Sequence, residues 1–181
     1  MTTAQAESTI PTGIWQSDPV HSHAGFSVKH VVGTFRGNFK EFAATLTAAD
    51  GKATLNGRAA VASVQVNEEN LYGHLQSPEF FDAEQHPEIL FSSSETARRD
   101  DQVSIEGELQ IKGISEHIAA RGEINGPAPG PNDSVRIGLD LEGRVDRHDY
   151  GLDWNMDLPG GGKALGDEVT LTIHLELVKA S

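Results

Sequence analysis

Apolar and polar side chains alternate along most of this chain. The alternation is clearest over residues 103–111, 135–141 and 169–177. A period of two residues places the apolar side chains on one face of an extended strand. About eight such stretches follow one another, mostly separated by short turn sequences such as Asp50-Gly51, which favours a tight hairpin. The pattern therefore predicts a mainly β protein.

The apolar residues of the first strands change face twice. They hold even positions up to His30, odd positions after Gly33, and even positions again after Asn38. A strand changes face only at a bend or an extra residue, and we assign the two changes to Gly33 and Gly37, because glycine accommodates such bends. Ordinary core packing explains the same spacing. The resulting strands would direct five side chains into one interior: Phe26, Val28, Phe35, Phe39 and Phe42.

One segment, 67–83, has a helical pattern instead. Asn67 is a suitable N-cap, and the two residues that follow are acidic, which suits the positive end of the helix dipole. Two leucines four residues apart would share one face of the helix. We expect this segment to lie across one end of the β structure and to present four apolar side chains: Leu71, Leu75, Phe80 and Phe81.

The predicted strands have one apolar face and no set of amphipathic helices to cover it. Such a sheet covers itself as a closed barrel or as a sandwich of two sheets. The connections are mostly short, which suits strands that pair in sequence order, and we favour an up-and-down antiparallel barrel over a sandwich. A barrel of eight strands can leave an interior just wide enough for one small ligand.

Length and composition fit one acidic domain. The chain has 181 residues, no cysteine and a formal net charge of −13. We expect residues 1–12 to form a disordered tail and residues 13–181 a single domain. The acidity argues against nucleic acid as a partner, because binding to phosphates requires a basic surface. No stretch approaches the ~18 apolar residues of a membrane span, and the start lacks a secretion signal, so we expect no stable membrane insertion and a cytoplasmic location.

The sequence shows no pattern typical of catalysis or metal binding. His21 and His23 would share one face of a strand, but a zinc site needs three or four ligands, and no second closely spaced pair follows. No serine occupies the Gly-x-Ser-x-Gly setting of a hydrolase, and the glycine run 160–162 lacks the spacing of a phosphate loop. We therefore predict no metal, no cofactor and no catalytic residue.

The first strands reverse the sign of the charge locally. There is no acidic residue between Asp18 and Glu41, whereas Lys29, Arg36 and Lys40 are all present. If these side chains surround the mouth of a barrel, they could hold the anionic or polar head group of a ligand. Solvated side chains on the outer face of the strands explain the same pattern.

Four groups of residues, spread over 15–177, form a more specific pattern. They are Asp18-x-x-His21-Ser22 with Phe26, His30, Gly33, Phe35 and Gly37; His74-Leu75-x-Ser77-x-x-Phe80-Phe81-Asp82 followed by His86-Pro87-x-Ile89-x-Phe91; Gly107-x-Leu109-x-Ile111-x-Gly113; and Arg147-x-x-Tyr150-Gly151. In this order they resemble the YceI-like family of small lipid-binding proteins.

The resemblance implies a lipocalin-like barrel with a long apolar channel. It implies as ligand a polyisoprenoid, an isoprenoid quinone or a fatty amide, and, since several members are dimers, a homodimer as one expected assembly. At the polar end of the channel we expect His30, Arg36 and Lys40 to contact the head group. The hydrophobic lining would be Phe26, Val28, Phe35, Phe39, Phe42, Leu71, Leu75, Phe80, Phe81, Phe91 and Trp154.

Three functions fit this pattern. The first is binding, storage or transport of one such lipid. The second is an enzyme of unknown type that acts on an isoprenoid-like substrate in the same channel, with His21, His30 or Arg36 as its polar residues. The third is a structural barrel whose interior is filled by its own side chains. A hollow interior would argue against the third.

Overall fold

The computed structural model describes residues 9–180, in which eleven strands pair into one antiparallel sheet. The strands are β1 (Gly13–Ser17), β2 (His23–His30), β3 (Gly33–Phe39), β4 (Phe42–Ala49), β5 (Lys52–Ala60), β6 (Val64–Gln65), β7 (Glu88–Arg99), β8 (Gln102–Ile111), β9 (Ile114–Pro129), β10 (Val135–Asp146) and β11 (Leu165–Lys179). The helix α1 spans Glu69–Gln76, and short 3-10 turns lie at Val61–Ser63, Pro131–Asp133 and Arg147–Tyr150. No helix among these residues is long and apolar enough to cross a membrane.

The sheet closes through β1, which pairs with β4 on one side and with β11 on the other. The ring runs β1-β4-β5-β7-β8-β9-β10-β11, which makes a closed barrel of eight strands. β2 pairs with the same strand, β11, as β1 does, and β3 pairs with β2. β4 pairs with β1. The prediction of an up-and-down antiparallel barrel of about eight strands is therefore confirmed, and a sandwich is not formed.

The hairpin between β4 and β5 forms where the sequence predicts it. Asp50 and Gly51 have φ angles of 54° and 77°, both in the left-handed region. A two-residue turn of this kind matches the twist of the strands that it joins, and aspartate followed by glycine adopts it readily. The turn fixes the register of β4 against β5 over the whole length of both strands.

The two changes of face lie at 31–32 and at 40–41. The first is the hairpin turn directly before Gly33, close to its predicted position. The second begins three residues beyond Gly37, so the assignment of this change to Gly37 was wrong. That glycine is required for another reason: a Cβ atom there would lie 2.6 Å from the ring of Phe26 on the neighbouring strand. Glycine therefore makes room for an aromatic side chain of the interior.

The helix α1 begins one residue later than the sequence pattern indicated. The cap is Glu68 rather than Asn67, because the Glu68 carboxylate accepts hydrogen bonds from the backbone N–H groups of Asn70 and Leu71 at 3.0 and 2.8 Å. A carboxylate at this position also lies at the positive end of the helix dipole.

Two hydrogen bonds fix α1 against the 3-10 turn that follows β5. The Gln76 side-chain amide donates to the carbonyl of Val61 at 3.0 Å, and the Tyr72 hydroxyl donates to the carbonyl of Ala62 at 2.7 Å. Leu75 is buried beneath the helix. As predicted, the segment that contains α1 lies across one end of the barrel, where its apolar side chains join the interior.

The side chains of the interior form two clusters. One half of the barrel is packed with residues that are almost completely buried, among them Trp15, Leu46, Ile105, Ile137 and Leu177. The other half, towards α1, is lined by a second cluster that includes many of the aromatic side chains. The solid half supplies most of the apolar burial that stabilises the barrel, and the second half is where a hollow interior can form.

The packed half also takes in part of the predicted tail. Ile10 packs against the first cluster, and the Trp15 indole N–H donates to the carbonyl of Pro11 at 3.1 Å. Ile10 and Pro11 therefore contact the packed half of the barrel, and the boundary at residue 13 stays a prediction. Residues 1–8 of the predicted tail lie outside the described residues.

The long connection between β10 and β11 is held by His148. Its Nδ1 lies 2.8 Å from a carboxylate oxygen of Asp153, and its Nε2 lies 2.8 Å from a carboxylate oxygen of Asp167. The hydrogen bond with Asp153, followed by that with Asp167, raises the pKa of His148. The imidazolium thus joins the connection to the start of β11.

We predict that this contact weakens as the pH rises through the raised pKa of His148. A group whose pKa is higher in the folded state stabilises the fold fully below its unfolded pKa, and that contribution is lost above the folded pKa. All three side chains are solvent-accessible, so the loss should not exceed about 1 kcal/mol. Urea denaturation of the protein and of His148→Gln across this pH range checks the difference, and NMR titration of the ring gives the pKa itself. A pKa at or below the ordinary histidine value would contradict the prediction.

Candidate functional site

The half of the barrel next to α1 encloses a cavity of about 610 Å³. Its lining is almost entirely apolar, and three large apolar residues of the lining are exposed to solvent: Val31, Val32 and Met156. Val32 is 98% exposed. These residues mark the mouth, which lies between the β2–β3 hairpin and the connection from β10 to β11. The volume falls within the range of ~300–1,000 Å³ that is typical of small-molecule sites.

Most of the predicted hydrophobic lining residues contact this cavity. The aromatic rings among them form a chain along its wall: the ring centroid of Phe26 lies 6.0 Å from that of Phe35 and 5.8 Å from that of Phe39, which lies 6.1 Å from Phe81. Such tilted and edge-on contacts are favourable for aromatic pairs. The predicted residues in the lining are Phe26, Val28, Phe35, Phe39, Leu71, Leu75, Phe80, Phe81 and Trp154.

Phe42 and Phe91 line a second, smaller cavity of about 140 Å³. Ile89 and Leu171 line both cavities, so the two adjoin in the middle of the barrel. The second cavity exists because many of the residues around it have small side chains or none: Ala24, Ala44, Gly57, Ala59, Ala120 and Gly143. It extends the apolar interior from the large cavity towards the packed half.

The predicted head-group residues separate into two sets. His30 lines the cavity near its mouth. Arg36 and Lys40 are exposed and lie outside the lining. Side chains alternate along β3, so Arg36 faces outward where Phe35 faces inward. The structure therefore favours the solvated interpretation of Arg36 and Lys40, and of the three predicted head-group residues only His30 lines the cavity.

The sequence analysis did not assign Arg147 and Tyr150 to the interior. Both line the large cavity, and they are only 3% and 1% exposed, respectively. They lie at the two ends of the 3-10 turn that follows β10, which directs both side chains into the barrel. The available signal was the motif Arg147-x-x-Tyr150-Gly151, which carried the family resemblance but was given no role.

Arg147 uses three of its five N–H groups to hold the backbone of the β10–β11 connection and the start of β11. Its Nε donates to the carbonyl of Gly166 at 2.8 Å, and its Nη1 donates to those of Leu152 and Trp154 at 2.5 and 2.9 Å. Among residues 9–180, neither Nη2 of Arg147 nor the hydroxyl of Tyr150 has a hydrogen-bond partner. Burial raises the pKa of Tyr150 to about 12, with smaller contributions from nearby carboxylates.

His74 forms part of the cavity wall. Its Nε2 lies 2.6 Å from a carboxylate oxygen of Glu79. Its ring is edge-on to those of Phe80 and Trp154, with centroids at 4.8 and 4.6 Å. The contacts fix the orientation of the imidazole and turn one of its nitrogens away from the interior. His74 therefore closes the wall between α1 and the β10–β11 connection.

Asp18, His21 and Glu176 have ligand atoms within 4.8 Å of one another, which suggests a metal site by distance alone. Nη1 of Arg136 lies 2.8 Å from Asp18 and 2.7 Å from Glu176, so a guanidinium already neutralises these carboxylates. Arg136 holds the pKa of Asp18 well below its usual range, and the Asp18 carboxylate raises the pKa of His21. His21 lies in the turn before β2, so it does not share a strand face with His23 as predicted. We interpret the group as an ion-pair cluster outside the barrel.

The comparisons with known proteins agree with this geometry. A family model described as YceI-like domain matches residues 15–177. A UPF0312 protein of Staphylococcus aureus strain N315 is 29% identical over 164 residues, which are 88% of this chain and 94% of the relative. A second UPF0312 protein, from strain Mu50, matches with the same identity and coverage.

Solved structures with the same fold come from three other bacteria. BcnA of Burkholderia cenocepacia superposes with a TM-score of 0.75 at 19% identity, covering 91% of this chain and 99% of BcnA. The YCEI protein of Campylobacter jejuni gives 0.68 at 26% identity, with 80% and 85% covered. A polyisoprenoid binding domain from Saccharophagus degradans gives 0.69 at 10% identity, with 94% and 100% covered. Since the family model matches from the first barrel strand to the last, the chain belongs to the YceI-like domain family.

Proposed function

We propose that this protein binds one long hydrophobic ligand inside the barrel and stores or transports it. The observation that carries the proposal is the apolar cavity of about 610 Å³ with an exposed mouth. A barrel that served only as a structural element would gain stability by filling this volume, because empty apolar space costs packing energy.

The hydrophobic effect supplies enough free energy for this task. Each buried methylene contributes ~0.8 kcal/mol, so a chain of about a dozen buried carbons gains on the order of 10 kcal/mol before the costs of immobilisation are subtracted. The aromatic wall of the cavity offers a large contact area that loses little conformational freedom on binding, since the rings are already packed against one another.

For the ligand we propose a polyisoprenoid, an isoprenoid quinone or a fatty amide. The fold is shared with the polyisoprenoid binding domain from Saccharophagus degradans. The second cavity supports a long chain over a compact molecule, because it continues the apolar interior beyond Ile89 and Leu171.

We predict that the purified protein carries a hydrophobic molecule. Native mass spectrometry should show an adduct of constant mass that dissociates under denaturing conditions and is recovered in an organic extract. After removal of bound lipid, the wholly apolar fluorophore diphenylhexatriene should bind with a stoichiometry of one per chain. Absence of an adduct together with absence of fluorophore binding would overturn the proposed function.

The second cavity should set the longest chain that the barrel accepts. We predict that Ala120→Leu fills part of it and makes the affinity for n-alkanols of increasing length level off a few carbons sooner than in the parent protein. Displacement of diphenylhexatriene measures this limit. The added carbons should also cost about 1–3 kcal/mol of stability if the neighbouring side chains cannot move.

The matched control is Ala119→Leu, on the same strand. Ala119 is exposed, whereas Ala120 packs against the interior cluster. The control should therefore keep the chain-length limit of the parent protein. Identical limits in the parent protein and both variants would show that the second cavity takes no part in ligand binding.

A further inference from the structure

The tip of the β2–β3 hairpin departs from the usual preferences of a turn. Its two residues are Val31 and Val32, between the paired residues His30 and Gly33. Val31 has a φ angle of 50°, in the left-handed region that β-branched residues rarely adopt, and Val32 is 98% exposed. Glycine, asparagine or aspartate would form such a tip without strain and without exposed apolar surface. Departures of this kind concentrate at functional sites.

A third exposed apolar residue lies beside the tip at the mouth of the cavity. The N–H of Val31 donates to the carbonyl of Ala164 at 2.8 Å, and the N–H of Ala164 donates to the carbonyl of Met156 at 2.9 Å. Met156 is 56% exposed. Because these bonds hold the hairpin against the β10–β11 connection, Val31, Val32 and Met156 form one apolar surface around the entrance, which we call the mouth patch.

The charges that the hairpin places next to the mouth patch are positive. Lys29 and Arg36 lie on its two strands near the tip, and both are exposed. Side chains alternate along a strand, so these two project from the outer face, whereas their neighbours Val28 and Phe35 line the cavity. Within residues 9–180, neither cation forms an ion pair with a carboxylate. Both are therefore available to an anionic partner.

The acidic side chains on the other side of the mouth already have cationic partners. The carboxylates within residues 151–166 are those of Asp153 and Asp157. Asp153 lies 2.8 Å from the ring of His148, and Asp157 pairs with Lys163. The chain as a whole carries a formal charge of −13, so an anionic surface repels most of the molecule. The β2–β3 hairpin contains no acidic residue and is the part that such a surface attracts.

We propose that the mouth patch docks reversibly on a lipid bilayer that contains anionic head groups. Val31, Val32 and Met156 enter the head-group region, and Lys29 and Arg36 contact the anionic groups. Binding of this kind scales with the apolar area buried plus the attraction to anionic lipids. The inference rests on the proposed function, since it places the open cavity against the membrane from which a lipid ligand is loaded. The apolar chain of the ligand then enters the barrel without crossing water.

Flotation with vesicles tests the docking surface. Vesicles of phosphatidylcholine mixed with phosphatidylglycerol should retain the parent protein, and vesicles of phosphatidylcholine alone should retain less of it. Val32→Asn should weaken retention about tenfold or more, because burial of one valine side chain contributes roughly that factor. The matched control is Val20→Asn. Val20 is 80% exposed and does not line the cavity, so this variant should keep the retention of the parent protein.

Two further variants separate charge and folding from the apolar contact. Arg36→Gln should weaken retention by the anionic vesicles about fivefold, the contribution of one cation near such a surface, whereas Lys52→Gln, at the start of β5, should not. Val31→Asn should weaken docking and at the same time raise the melting temperature, since asparagine tolerates the left-handed backbone better than valine. A loss of docking with a more stable fold cannot result from unfolding.

Transfer of diphenylhexatriene connects docking with loading. The anionic vesicles carry the fluorophore and a quencher attached to a head group, so the fluorescence rises when the fluorophore enters protein stripped of bound lipid. The rate of transfer should increase in proportion to the vesicle concentration, as expected for loading by contact. Val32→Asn should slow this transfer about tenfold, the same factor as for its retention. The affinity of each variant for the fluorophore, measured without vesicles, corrects for any change in the cavity itself.

The outcomes separate the two proposals. Equal retention of the parent protein and Val32→Asn, or a transfer rate independent of vesicle concentration, would overturn the docking surface and leave the hydrophobic carrier intact. The docking surface would also be overturned by a dimer in sedimentation equilibrium that Val32→Asn dissociates, together with no retention by vesicles, because a second copy of the chain would then cover the patch. Failure of the parent protein to bind the fluorophore in the absence of vesicles would instead overturn the proposed function.

Discussion

The guanidinium of Arg147 is the contact on which both the fold of the open end and the site depend. The connection between β10 and β11 has little regular structure, so its carbonyls need donors from elsewhere. Arg147 supplies donors for Leu152, Trp154 and Gly166 and thereby holds two lining side chains over the cavity. A shorter or apolar residue at this position would leave these carbonyls without hydrogen-bond donors. The side chains of Leu152 and Trp154 would then no longer be fixed in the cavity wall.

The size of the inward-facing residues decides where the barrel is solid and where it is hollow. Large aliphatic side chains and Trp15 meet at one end and fill it. Alanine and glycine take the inward positions near the middle, where the second cavity lies. At the other end the wall consists of rings that pack against one another along its surface instead of meeting across the centre. The packed end provides the stability that allows the open end to remain empty.

The local sequence pattern determined the strands and most of the lining, because alternation decides which side chain faces inward once one face is buried. Phe35 and Arg36 are consecutive residues of one strand. The alternation that places the Phe35 ring inside the barrel therefore places the Arg36 guanidinium outside it. What the pattern could not determine depends on contacts between distant segments. Gly37 matters because of Phe26 on the neighbouring strand, and Arg147 matters because the start of β11, 19 residues later, lies within its reach. Neither neighbour is visible in the local sequence.

The three functions considered from the sequence can now be weighed by what the interior contains. A structural barrel does not explain the apolar cavity of about 610 Å³, because empty apolar space costs packing energy. The enzyme would need a residue able to exchange protons within the cavity. His74 is engaged by Glu79 and fixed between two rings, and His30 lies at the solvent-exposed mouth. A carrier needs an apolar cavity with an accessible mouth, and these are the features that the interior of this barrel combines.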